Sequence, residues 1–137
     1  MQSVLLSLYA GLPVFLSHFS VTILVFIAAI GIYTLITPHK EFALIKKGNI
    51  AAAISFGGAL LGLAIPLAFC LAGSVNIYDI IIWGAFILLI QLATYFVIDK
   101  IVGGVSKNIE KENVAPILFL VTARISVAII NAAAISG

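Results

Sequence analysis

Four stretches of this chain, Pro13–Thr37, Asn49–Ala72, Ile77–Ile98 and Val114–Ser136, are long, apolar and almost free of charge. A helix that crosses the hydrocarbon layer of a bilayer needs about 20 mainly apolar residues, so each stretch can span a membrane. Composition agrees: 64% of residues are apolar and 9% charged, whereas soluble domains carry about 25% charge. The length suits one domain, residues 1–137. The fold expected is an all-α integral membrane four-helix bundle.

The breaks between spans follow local chemistry. Thr37-Pro38 ends the first, because a residue before proline disfavours helix and proline can open a new one. Pro38–Lys47 mixes Phe42, Leu44 and Ile45 with Lys40, Glu41, Lys46 and Lys47, which reads as a short interfacial helix ended by Gly48. Gly73-Ser74-Val75-Asn76 reads as a tight turn, and Asp99–Glu112 as a polar loop carrying Gly103-Gly104. All six lysines lie in residues 38–48 or 99–112. Short loops rich in Lys and Arg stay cytoplasmic, which puts both termini and the turn near Ser74 outside the cytoplasm. Those two loops could recruit a cytoplasmic partner or anionic lipid. The net charge of +2, with no basic run interleaved with aromatics, argues against nucleic acid. Met1–Leu12 has no Lys or Arg, so no secretory leader is expected. The single cysteine, Cys70, excludes an internal disulfide and reads as a small core hydrophobe.

Superposing Gly48-Asn49-Ile50-Ala51-Ala52 on Glu112-Asn113-Val114-Ala115-Pro116 aligns the first two spans with the last two. The chain thus reads as two parallel two-helix repeats, about 13–72 and 77–136, unlike the inverted repeats of many transporters. Spans two and four are rich in small residues, which let helices approach closely in lipid. They are expected at the centre, with the bulkier spans one and three as flanks. Gly57, Gly58, Gly62 and Pro66 are the candidate packing positions. The Gly58/Gly62 pair could instead serve a second subunit in a homo-oligomer. Tyr78 and Tyr95 are expected near opposite headgroup regions.

The run Thr37-Pro38-His39-Lys40-Glu41-Phe42-Ala43-Leu44-Ile45, then Gly48-Asn49-Ile50-Ala51-Ala52-Ala53-Ile54 and Gly57-Gly58-Ala59-Leu60-Leu61-Gly62, resembles the YjfL-like family of small bacterial inner-membrane proteins. The likeness continues through Asp79, Trp83-Gly84 and Gln91 to Asn131-Ala132-Ala133, nearly the whole chain. It implies the same architecture and a place in the bacterial inner membrane. It implies no activity, because that family rests on a domain of unknown function.

Ionisable residues inside a membrane are rare and mark functional sites by default. Arg124 lies midway along the fourth span, where insertion costs about 2.5–3.5 kcal/mol. Its side chain leans toward the helix N-terminus, which makes Gln91 and the Gly62 carbonyl, freed by Pro66, its expected partners. The bland reading is an interhelical clamp; the sharper one is a substrate or anion path. Asn49 and Asn113 read as N-caps or as a paired polar gate. Asp79 fits a capping arrangement with Asn76 or an ion site. Glu41 reads as a solvated charge, or as an ion-entry group. His18 is expected to bond Ser17 or a backbone carbonyl rather than handle protons. Haem between two histidines is not expected, because His39 falls at the opposite face, and zinc lacks ligands. Asn131 completes the intramembrane polar set.

No phosphate loop, His-Glu-x-x-His or nucleophile elbow is present. The sequence therefore points to a non-catalytic membrane subunit or scaffold without cofactors, embedded in the lipid bilayer. The alternative is a small channel or carrier with a midplane site around Arg124.

Overall fold

The computed structural model describes residues 1–38, 40–74 and 76–136. His39 and Val75, on which the haem argument and part of the second turn rest, lie outside the described residues. The elements are α1 (Gln2–Ile36), α2 (Glu41–Lys46), α3 (Ile50–Gly73), α4 (Ile77–Val102), α5 (Val105–Glu110) and α6 (Val114–Ser136). Among the described residues α1, α3, α4 and α6 are long and apolar enough to cross a membrane. The chain is an all-α membrane helical bundle.

Three local expectations needed correction. Helix α1 starts at Gln2, not Pro13, and runs through Pro13. Proline costs one hydrogen bond inside a helix, but broken backbone costs more in lipid, where nothing else satisfies it. At 35 residues the helix is roughly 52 Å long, well beyond the hydrocarbon thickness of about 30 Å. Its first half is exposed throughout, from Met1 to Leu16. Helix α4 continues past Ile98 to Val102 and stops at Gly103, whose φ of 79° is left-handed. The loop at 99–112 then contains a helix, α5, which buries Val105 and Ile109. Asp99 makes this possible by accepting from the Val105 backbone N–H at 2.7 Å. The polar residues that dominate this loop mask the two apolar ones, Val105 and Ile109, spaced a helical turn apart.

The order long, short, long helix thus occurs twice. The turns after α2 and α5 share their backbone pattern. Gly48 and Glu112 both have positive φ, 86° and 55°. Asn49 N–H donates to the Leu44 carbonyl at 3.0 Å, and Asn113 N–H to the Asn108 carbonyl at 2.8 Å.

The most extensively packed helix pair is α3 with α6. Small residues explain it: α3 buries Ala51, Ser55, Gly58, Ala59 and Gly62, and α6 buries Ala128 and Ala132. A Cβ built on Gly58 would stand 2.7 Å from Val121, so that glycine admits α6. Gly62 faces α4, where a Cβ would meet Gln91 Oε1 at 2.5 Å. The face suggested for a second subunit is therefore filled by this chain's own helices. Gly57 would meet nothing within 4 Å and is not a packing position. Pro66 is buried within α3. Helix α1 is the outermost long helix, burying only Thr22, Ala29 and Tyr33.

Candidate functional site: a buried guanidinium at the helix junction

Arg124 has 0% of its surface exposed. From α6 its side chain runs toward the lysine-bearing end of the bundle. Nη1 donates to the Ser55 backbone carbonyl of α3 at 3.1 Å, and Nη2 donates to the Tyr33 hydroxyl of α1. The guanidinium lies over two rings, 4.9 Å from the centroid of Tyr33 and 5.3 Å from that of Tyr95. These rings meet edge to face, 6.0 Å apart. A cation over an aromatic face gains most when desolvated, as here. One side chain on α6 thereby touches α1, α3 and α4.

This differs from the expected partners. Gln91 and the Gly62 carbonyl lie near the depth of the Arg124 backbone, but the long side chain carries its guanidinium further toward the helix start. Gln91 instead donates through Nε2 to the Arg124 backbone carbonyl at 3.3 Å. It is itself buried, and its Oε1 has no hydrogen-bond partner. Gly62 is the slot that admits this amide between α3, α4 and α6.

Glu41 is not a solvated charge. It is 3% exposed, because α2 folds its first turn against α3. Its Oε1 accepts from Ser55 Oγ at 3.4 Å. Ser55 thus contacts the carboxylate with its hydroxyl and the guanidinium with its carbonyl. Tyr95 does not face lipid, being 1% exposed, whereas Tyr78 is 70% exposed. Ser55, Tyr33 and Tyr95 were missed by sequence reasoning. The available signal was Ser55, the one hydroxyl in Ile50–Gly73, together with the phenols of Tyr33 and Tyr95 in the first and third spans.

Asn49 caps α3, accepting from the Ala52 N–H at 2.9 Å, and its Nδ2 donates to the Ile109 carbonyl of α5 at 2.8 Å. Asn113 cannot repeat this bond, since Pro116 holds the position of Ala52 and has no N–H. Its Nδ2 donates to Asn108 Oδ1 at 3.1 Å, and the residue is exposed. The two asparagines therefore take different partners and do not share one arrangement. His18 Nδ1 lies 2.9 Å from the Val14 carbonyl and 3.4 Å from Ser17 Oγ, as expected. Asp79 is exposed in the first turn of α4, where Asn76 Oδ1 accepts from the Tyr78 N–H at 3.0 Å. Asn131 Nδ2 is buried without a hydrogen-bond partner. No group of three or more His, Cys, Asp or Glu fit to hold a metal occurs among the described residues.

Fold and junction together define a small helical membrane protein whose apolar bundle is pinned around one buried cation. Residues 7–135 match the family model described as Domain of Unknown Function (DUF350), and the chain belongs to that family. It is 37% identical over 123 residues to the UPF0719 inner membrane protein YjfL of Escherichia coli strain K12, covering 90% of this chain and 93% of the relative. It is 26% identical over 99 residues to the UPF0719 transmembrane protein YshE of Bacillus subtilis strain 168, covering 71% and 74%. No solved structure matches.

Proposed function

We propose that this chain is a non-catalytic, oligomerising subunit of the bacterial inner membrane, and that Arg124 is a structural clamp joining its two halves. The observation that carries this reading is the complete burial of a guanidinium bonded to Tyr33 and Ser55 of the first half. A buried charge unpaired in lipid would be costly, whereas one engaged by a hydroxyl, a carbonyl and two rings fixes the register of the helices. The halves are two parallel repeats, a reading supported by the matching turns at Gly48 and Glu112. The inner-membrane location is taken over from YjfL. The lysine-bearing end faces the cytoplasm and both termini face outward, following the lysine asymmetry. Since Gly58 and Gly62 are occupied within the chain, self-association would use the exposed outer faces, chiefly α1. The exposed lysines of residues 38–48 and 99–112 would meet a cytoplasmic partner or anionic lipid.

One observation favours a small channel or carrier instead. A carboxyl group, Glu41, and a cation, Arg124, are both buried and both touch Ser55, as in an intramembrane ion path. That reading requires water to reach the cluster. In a Cys70→Ala background, Gln91→Cys and Arg124→Cys should stay unreactive toward membrane-impermeant, water-soluble thiol reagents if the junction is a clamp. Rapid labelling at both positions would refute the clamp and promote the channel.

A further inference from the structure

At the end of the bundle that carries the termini, Asp79 is the one Asp, Glu, Lys or Arg side chain. Its carboxylate has no protein partner among the described residues. It borders a cleft of about 330 Å³ where the last turns of α3 and α6 meet the start of α4. Cys70 lines it from α3, Ser74 from just past the end of that helix, Trp83 from α4 and Ser136 from α6.

The serine hydroxyls and the carboxylate offer this cleft acceptors; its donors are the Cys70 thiol, engaged by the Asp79 backbone carbonyl at 3.9 Å, and the Trp83 indole N–H. Ser74 Oγ donates its proton to the Cys70 carbonyl at 2.6 Å. Ser136 Oγ donates its proton to the Ala133 carbonyl at 3.1 Å. A hydroxyl has one proton and two lone pairs, so both oxygens are left as acceptors. An ionised carboxylate is acceptor-only. Trp83, one helical turn from Asp79, adds a ring whose face attracts cations best among the aromatics. Acceptors, a negative charge and a π face suit a cation with several N–H donors and repel an anion. Calcium takes about six to eight oxygen ligands, more than one carboxylate and two hydroxyls supply.

The level of the cleft fixes the source. It lies at helix ends, where headgroups sit, and Trp83 is 44% exposed, consistent with a ring at the membrane–water interface. We propose that this cleft binds the primary ammonium headgroup of a zwitterionic phospholipid, with Asp79 as counter-ion and Trp83 as the cation-binding ring.

Trp83 is the only tryptophan in the chain, so its fluorescence reports the cleft directly. The full chain in mild detergent micelles would be titrated with phosphatidylethanolamine, with phosphatidylglycerol of matched acyl chains, and with free ethanolamine. A saturable emission change with phosphatidylethanolamine alone is expected, weakened at least tenfold by Asp79→Asn and retained by Asp79→Glu. Equal responses to the two lipids, or an unchanged response in Asp79→Asn, would overturn the site. Saturation by free ethanolamine at the same concentration would overturn the lipid as its ligand. Loss of response in both Asp79 variants with unchanged helical circular dichroism would remove the counter-ion role.

Discussion

Replacing Tyr33 with Phe tests the clamp at a single atom. The ring stays in place over the guanidinium at 4.9 Å, and only the hydroxyl that accepts from Arg124 Nη2 is lost. A guanidinium has five N–H donors, and Arg124 Nε already lacks a partner, so no spare acceptor stands by. A hydrogen bond to a charged group contributes about 1.5–3 kcal/mol in water-soluble proteins. Double-mutant cycles between membrane helices reach a maximum near 1.7 kcal/mol. Combining these, Tyr33→Phe should cost about 1–2 kcal/mol, read as reversible SDS-induced unfolding in bicelles. The same substitution in an Arg124→Leu background should cost less than about 0.5 kcal/mol, because the hydroxyl has already lost its donor. An equal cost in both backgrounds would refute the clamp geometry, since Tyr33 would then act independently of Arg124.

Gly62→Ala drives a methyl to 2.5 Å from Gln91 Oε1 and should destabilise by about 1–3 kcal/mol, whereas Gly57→Ala, facing open space, should be neutral within about 0.5 kcal/mol; thermal unfolding in detergent separates them. Asn49→Ala loses both the α3 cap and the tie to Ile109. It should cost about 1–2 kcal/mol and accelerate hydrogen exchange in α5, while Asn113→Ala should do neither. Gly48→Ala forces a side chain onto a φ of 86°, at a cost of roughly 1–2 kcal/mol. Glu112→Gly, relieving the left-handed strain at its counterpart, should raise the melting temperature.

Local chemistry made much of the bundle legible. Span number followed from apolar length, because lipid admits little else. A short helix between the first two spans, ending before Gly48, followed from mixed polarity and a glycine, although it is limited to Glu41–Lys46. The pairing of the small-residue helices α3 and α6 followed from backbone approach, but α4, expected as a flank, buries more of its residues than α6 does. Helix ends were less legible wherever charged residues stay helical at the headgroup level, as at Asp99 and Lys100, or where lipid holds a helix together across Pro13.

The candidate site was half legible. Arg124 stood out, since any arginine in mid-span is an anomaly that composition alone exposes. Its partners did not, because a side chain of that length can reach several residues up or down its neighbours. Only packing decides whether it meets Gln91 or, as found, Ser55 and Tyr33. Glu41 shows the same division. Charge and neighbours place it in an interfacial helix, but the docking of α2 on α3 decides that its carboxylate turns inward. By itself the sequence determined a membrane bundle of apolar helices with one costly cation at its middle, because hydrophobic length and charge are local properties. The tertiary structure decided which groups neutralise that cation and which glycines admit their neighbours, because those depend on helix rotation and relative depth, set jointly by all the packed faces.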